Sequence, residues 1–496
     1  MTLPESRPAS DQPRHVPIII VGSGFSGLGA AIRLDQAGHR DFLVLERGGD
    51  VGGTWRDNTY PGAACDVPSH LYSYSFALNP DWTRSFSSQP EIQSYIRGVA
   101  QRYGVLDRHL FHCEVTRAAW HDDEQRWHVQ STAGAFTSDV LIGGVGALAE
   151  PSLPDIDGIE GFRGEIFHSA RWNHDADLTG KRVAVIGTGA SAIQIVPAIV
   201  DRVARLDVYQ RTAPWLLPRF DRRFTRAERW MFRHVPGATR IARAGIYAAR
   251  ETQVVGLAKQ PALMKGFELL SRAKIRAEIK DPELRRKVTP NFRIGCKRML
   301  ISNEWYPALD RDHVELVTDG IAKITENAIV SADGTAREVD AIIVATGFHV
   351  TDSPTFERIC GRDGRSLADT FADGGMRAYK GATVANFPNM FLLVGPNTGL
   401  GHSSMVYMIE SQLNYVVDAI TTMKRRGLRV VEVTREAQDA YNEDLQRRLR
   451  GTVWMTGRCA SWYLDAHGNN TTLWPDFTFR FRQQTRRFDL PAYAAA

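Results

Sequence analysis

No run of about 18 uninterrupted apolar residues, the length a membrane-spanning helix needs, occurs anywhere in the 496 residues. No integral membrane segment is therefore expected. The first 17 residues, MTLPESRPASDQPRHVP, hold no apolar core for a signal, and the run Ile18 to Val21 is too short to supply one, so they read as a frayed cytoplasmic tail. Cysteine is scarce. The five residues Cys65, Cys113, Cys296, Cys360 and Cys459 include no CxxC pair, which argues against a disulfide framework, a structural zinc site and a vicinal redox dithiol, and fits a reducing compartment. No metal is expected. An excess of one charge is also lacking: 61 Lys and Arg face 56 Asp and Glu, and a net +5 is too slight to argue for nucleic acid, although a local anionic ligand would account for it. With 43% hydrophobic and 24% charged residues the composition is that of a folded soluble chain. Its length suggests roughly two to four folding units.

What the chain has is a repeat. Ile18-Ile19-Ile20-Val21 leads into Gly22-Ser23-Gly24-Phe25-Ser26-Gly27, a helical segment and a second strand, Phe42 to Glu46. Val183-Ala184-Val185-Ile186 leads into Gly187-Thr188-Gly189-Ala190-Ser191-Ala192, another helical segment and Leu206 to Arg211. A strand, a glycine turn and a helix in that order bring backbone N–H groups and a helix N-terminus up to a pyrophosphate, so two dinucleotide sites are expected. Glu46 lies 24 residues after Gly22, and Arg211 lies 24 after Gly187. A carboxylate there suits a free ribose diol, whereas a guanidinium suits a 2′-phosphate. The first site thus fits the ADP half of FAD and the second NADPH rather than NADH, with Thr212 as a further donor.

Val140 to Gly146, Asp340 to Phe348 (through Ala345, Thr346 and Gly347) and Phe391 to Gly399 read as strands that return to these sheets, the last followed by a helix near Ser404 to Ile420. The fold class is α/β: two Rossmann-like dinucleotide-binding domains with a helical insert. The expected boundaries are 1–148 with 383–496 for FAD, 151–217 with 293–380 for NADP, and 218–292 for the insert. Between Arg219 and Arg250 stand nine arginines and only two acids, Asp221 and Glu228. Because Trp230 and Phe232 form no separate apolar stripe, this reads as a solvated helical face rather than a membrane-surface helix.

One segment before the second glycine motif narrows the reading. Phe162-Arg163-Gly164-Glu165-Ile166-Phe167-His168-Ser169-Ala170-Arg171-Trp172 matches FxGxxxHxxxW, and the chain resembles the Baeyer–Villiger monooxygenases in it. Gly52-Gly53-Thr54-Trp55, then Tyr60-Pro61-Gly62 and Asp66, fits a second pattern of that family, and Gly295-Cys296-Lys297-Arg298 is similar to a third. Asn173 departs from the Pro or Asp that usually follows the fingerprint Trp. The resemblance covers most of residues 16 to 420. It implies noncovalent FAD, NADPH and dioxygen, and a small-molecule ketone converted to an ester or lactone through a C4a-peroxyflavin, with thioethers as further substrates. It assigns catalysis to Arg298, which would stabilise the peroxide and the tetrahedral oxyanion, and to Asp66, which would orient Arg298. For FAD it implies Gly22, Gly24, Phe25, Ser26, Gly27, Glu46, Thr54, Trp55, Asp66, Tyr72 and Val115. For NADP it implies Gly187, Thr188, Gly189, Ser191, Gln194, Arg211, Thr212, Lys297, Arg298, Ala345, Thr346 and Gly347. Phe162, Gly164, His168 and Trp172 read as structural or domain-junction residues. The alternatives are an N- or S-oxygenating flavin monooxygenase and a silent dinucleotide-binding redox sensor.

Overall fold

The computed structural model describes residues 13–496. Ile18–Val21 is apolar at every position and is the central strand of a five-stranded parallel sheet. Val140–Gly143 and then Met390–Leu392 lie on one side of it, Phe42–Leu45 and His109–Leu110 on the other. Burial on both faces explains the unbroken hydrophobic runs, which an alternating strand would not show. Arg182–Ile186 occupies the same place in a second parallel sheet, between Arg205–Tyr209 and Ala341–Val344, with Val314–Val317 and Glu165–His168 at the edges. The internal repeat is therefore a repeat of topology, and the returning strands at 140, 341 and 390 all join the expected sheets.

The helix Phe25–Gln36 follows the first turn, and the long helix Met405–Arg426 crosses it where Gly29 leaves room for Leu413. A Cβ at 29 would lie 2.8 Å from Leu413 Cδ1. A third sheet, partly antiparallel, orders Arg14–His15, Gly134–Ser138, Arg126–Ser131, Val115–His121 and Ile359–Cys360. Its first strand corrects the expected tail. Arg14 and His15 pair with Phe136 and Thr137, and the rest of that expectation, residues 1–12, lies outside the described residues. Local composition could not foresee the pairing, because the partner strand lies more than a hundred residues away.

Helices Arg226–His234, Ala238–Glu251, Met264–Glu278 and Pro282–Val288 fill the stretch between the short parallel pair Leu216–Leu217 and Leu300–Ile301. Its arginines are not all solvated, which corrects the expectation of a plain solvent face. Arg243 is largely buried and donates to the carbonyls of His70 (3.0 Å), Leu71 (3.0 Å) and Ser73 (2.9 Å). Arg84 pairs with Asp221 at 2.7 Å. Among the described residues no helix is long and apolar enough to cross a membrane.

The cysteines bring a third correction. Cys296 and Cys459 form a disulfide across 163 residues, while Cys65, Cys113 and Cys360 are free and buried. Chain spacing cannot report a pair that only folding brings together. The bond also removes the premise on which a reducing compartment was expected.

Candidate active site

A cavity of about 1280 Å³ runs between the two glycine turns. Gly22, Gly24, Phe25 and Ser26 line it from the first turn, and Gly187, Thr188, Gly189 and Ser191 from the second. Both turns are built alike. Gly22 has φ +92° and a Cβ there would lie 2.9 Å from Gly144 O, while Gly187 has φ +115° and a Cβ there would lie 2.4 Å from Ala345 O. Each first glycine thus abuts the turn after a returning strand, and only glycine meets both the positive φ and the close approach. Gly27 does not line the cavity. Its Cβ would fall 1.8 Å from Gly22 O, so its task is to let the helix close on the turn. Around Gly189 a Cβ would meet nothing within 4 Å, so the backbone there is open to a ligand.

Glu46 is buried at the end of the second strand of the first unit, where its carboxylate accepts from the backbone N–H of Ser23 (2.7 Å) and Gly48 (2.7 Å). Arg56 adds a third donor at 2.6 Å. Sequence reasoning missed Arg56, since nothing in its spacing ties it to Glu46. Trp55 and Tyr72 meet edge to face at 5.6 Å with Trp55 Nε1 donating to Tyr72 Oη at 3.0 Å, and Phe25 meets Tyr72 at 5.3 Å. Thr54 and Val115 complete this wall of the cavity.

On the other side Arg211, Thr212, Lys297, Ala345, Thr346 and Gly347 all line the cavity. Burial, and after it the charge of Arg211, holds the Lys297 ammonium below the ordinary lysine value. A lysine whose charge is opposed by a neighbouring guanidinium at a cavity wall suits an anion. Gln194 also lines the cavity, but its side chain clasps the two halves: Oε1 accepts from Tyr60 Oη (3.0 Å) and Ala64 N (3.2 Å), and Nε2 donates to Ala64 O (3.0 Å). Gly62 makes the clasp possible, because a Cβ there would lie 2.6 Å from Gln194 O.

Asp66 and Arg298, 232 residues apart, meet between these walls. Arg298 Nε donates to one carboxylate oxygen at 2.8 Å and Nη2 to the other at 2.7 Å. Among the described residues the remaining Nη1 has only Leu400 O, at 3.4 Å. Burial alone would raise the Asp66 carboxyl, but the charge and hydrogen bonds of Arg298 outweigh it and leave the group below its ordinary value. The same Asp66 charge holds Arg298 above its own. Burial pushes the neighbouring Cys65 thiol up, so no thiolate is available beside the pair. Leu400, Met405, Trp462 and Leu473 give this part of the cavity apolar walls. None of them carries a sequence motif. At Val394, also in the lining, a β-branched residue holds φ +60°, while Gln412 Oε1 accepts its N–H at 2.9 Å. Such strain persists where the surroundings over-determine it.

The four fingerprint residues stand outside the lining. Glu165–His168 is an edge strand with His168 opposite Val344, one residue before Ala345. Gly164 is required because a Cβ would lie 2.4 Å from Asp340 O. Phe162 is buried behind the second sheet, and Trp172 packs edge to face on Phe167 at 4.9 Å. Asn173, the departure from the pattern, donates to Glu165 at 3.2 Å. His174 joins Thr59 at 2.7 Å, so the fingerprint ends on the Trp55 to Asp66 segment. These residues stand behind the cavity walls rather than in the lining.

His168 is buried, its Nδ1 accepts from Ala170 N at 3.1 Å, and burial lowers its pKa from 6.5 to about 4. The folded state resists protonation that the unfolded chain accepts. The stability this confers is complete above pH 6.5 and is lost as the pH falls toward 4. His168→Asn keeps an acceptor for Ala170 N without titrating. Its denaturant midpoint is expected to fall less steeply with acid, by up to about one proton or ~1.4 kcal/mol per pH unit in that window. An unchanged slope would assign the acid sensitivity to His70, which burial also lowers to about 4.

Residues 19–226 match the family described as pyridine nucleotide-disulphide oxidoreductase. Over 480 residues, 97% of this chain and 92% of the relative, the sequence is 51% identical to a Baeyer–Villiger monooxygenase of Streptomyces coelicolor. The crystal structure of cyclohexanone monooxygenase from Rhodococcus sp. Phi1 bound to NADP+ superposes with a TM-score of 0.87 at 27% identity, covering 98% of this chain and 99% of that one. The structure of OTEMO in complex with FAD and NADP gives 0.88 at 28% identity, covering 98% and 100%.

Proposed function

Since the chain belongs to the Baeyer–Villiger monooxygenase family, we propose that its pair Asp66–Arg298 serves the oxidation of a small-molecule ketone to an ester or lactone. The protein is an NADPH- and dioxygen-dependent flavoprotein monooxygenase, and the balance is ketone, dioxygen, NADPH and a proton giving ester, NADP+ and water. The observation that carries the role of the pair is the bidentate contact that aims Arg298 into the cavity and leaves Nη1 nearly unspent. FAD, when bound, supplies the activation of dioxygen that no side chain can perform.

The residues present fit both cofactors. The turn at Gly22 to Gly27, with Glu46 at the end of the next strand, suits the ADP half of FAD, and the open backbone at Gly189 suits the pyrophosphate of NADPH. Arg211 and Lys297 suit its 2′-phosphate. We assign 1–148 with 383–496 to FAD and 151–217 with 293–380 to NADP, and treat Gln194 chiefly as the clasp between them. Arg298, permanently charged, offers N–H donors to negative charge as it develops on the carbonyl oxygen, and Asp66 holds the guanidinium plane in place so that no reorganisation is needed at that moment. The apolar walls of Leu400, Met405, Trp462 and Leu473 favour an apolar ketone. Thioethers are further candidate substrates.

A panel of cyclic, linear and aromatic ketones with one thioether, given NADPH and air, tests the reading by product mass. Ketones are expected to gain one oxygen atom, 16 Da. Oxidation of the thioether alone would favour an S-oxygenating enzyme, and NADPH consumption without any oxygenated product would overturn the role of the pair.

A further inference from the structure

The strands Val115–His121 and Arg126–Ser131 form a hairpin whose far end leaves the cavity. Val115 and Ala118 line the cavity, whereas His121, Glu124 and His128 do not, and His121 lies three residues beyond Ala118, about 10 Å at the rise of an extended strand. The register pairs His121 with Arg126 and Ala119 with His128. His121 and His128 are thus diagonal neighbours on one face, a separation of about 7–8 Å between backbones that imidazoles can bridge. Their rings stack with centroids 3.9 Å apart. Glu124, in the turn, reaches the same spot, with Oε2 3.0 Å from His128 Nε2. One ligand atom from each of the three residues lies within 4.8 Å of the others.

We propose that His121, Glu124 and His128 form a surface site for a borderline divalent transition-metal ion, with water completing its coordination. Two imidazole nitrogens and one carboxylate are the donor set that zinc, nickel and copper take, whereas calcium and magnesium require oxygen donors alone. The neighbouring charges are spoken for. Arg126 turns to Asp139 at 3.1 Å, and Asp122 accepts from Trp120 Nε1 at 3.1 Å and pairs with Arg362. The ion replaces the proton held between His128 and Glu124. All three ligands come from the one hairpin Val115 to Ser131, within the eight residues His121 to His128, so the site forms with the hairpin and needs no second domain.

Calorimetric titration of untagged, chelator-treated holoenzyme tests it. One equivalent of Zn2+ or Ni2+ is expected to bind, Cu2+ more tightly than either, and Mg2+ or Ca2+ not to compete. His121→Ala and His128→Ala are each expected to lose that equivalent, and Glu124→Gln to keep it with weaker affinity. Flavin content and ketone oxidation should stay at wild-type levels in all three, since none of the three residues lines the cavity. The proposal is overturned if wild-type holoenzyme takes up no Zn2+, if Ca2+ displaces it, or if the double variant H121A/H128A binds the same equivalent equally well.

Discussion

Arg298→Ala is expected to leave FAD bound and to lower ester formation about 100- to 1000-fold, the usual cost of removing one preorganised charge partner of a transition state. The flavin turn is at Gly22 to Gly27, far from Arg298 in sequence and on another wall of the cavity, which is why cofactor content should survive. NADPH oxidation should continue at a reduced rate with hydrogen peroxide in place of ester. Arg298→Lys keeps a charge but cannot bridge both oxygens of Asp66 as Nε and Nη2 do, so it is expected to fall between wild type and alanine. The variant carries a second signature. Arg298 holds the Asp66 carboxyl below its ordinary value against burial. Without it the charge of Arg250 and a backbone hydrogen bond still oppose burial but the largest opposing cause is gone, so the acid limb of the pH–rate profile should move to higher pH. Ester formation by Arg298→Ala at near wild-type rate would remove both residues from the mechanism.

Arg211→Ala is expected to weaken NADPH about 10- to 150-fold while changing NADH little, the loss of one charge-assisted contact worth on the order of 1.5–3 kcal/mol. Arg211 is exposed at the cavity, and its nearness is already felt by Lys297, whose pKa it helps to lower. Removing Arg211 relieves that repulsion, so Lys297 takes up part of the phosphate's charge, and Lys297→Ala added to Arg211→Ala should cost more than Lys297→Ala alone. The measurement is the ratio of kcat/KM for NADPH to that for NADH. An unchanged ratio in the single variant would place the 2′-phosphate elsewhere.

What the sequence determined by itself is what short segments encode. A strand apolar at every position, a glycine turn and a helix are specified within about thirty residues, so both nucleotide units, their equal offsets to Glu46 and Arg211, and the strands returning at 140, 341 and 391 could be read from the chain. The fingerprint was legible as a pattern, although its meaning as an edge strand, with Gly164 against Asp340 O, needed the sheet. The tertiary structure decided whatever depends on two distant side chains facing each other. Arg56 on Glu46, Gln194 across to Tyr60 and Ala64, and the Cys296–Cys459 bond are all of this kind. So is the contact of Asp66 with Arg298, which a family pattern could suggest but only geometry could make bidentate. Residue type and spacing fix the period along a strand or helix, whereas the direction in which a side chain leaves one sheet and meets another is set by how the two sheets dock, and that depends on packing contacts spread over the whole chain.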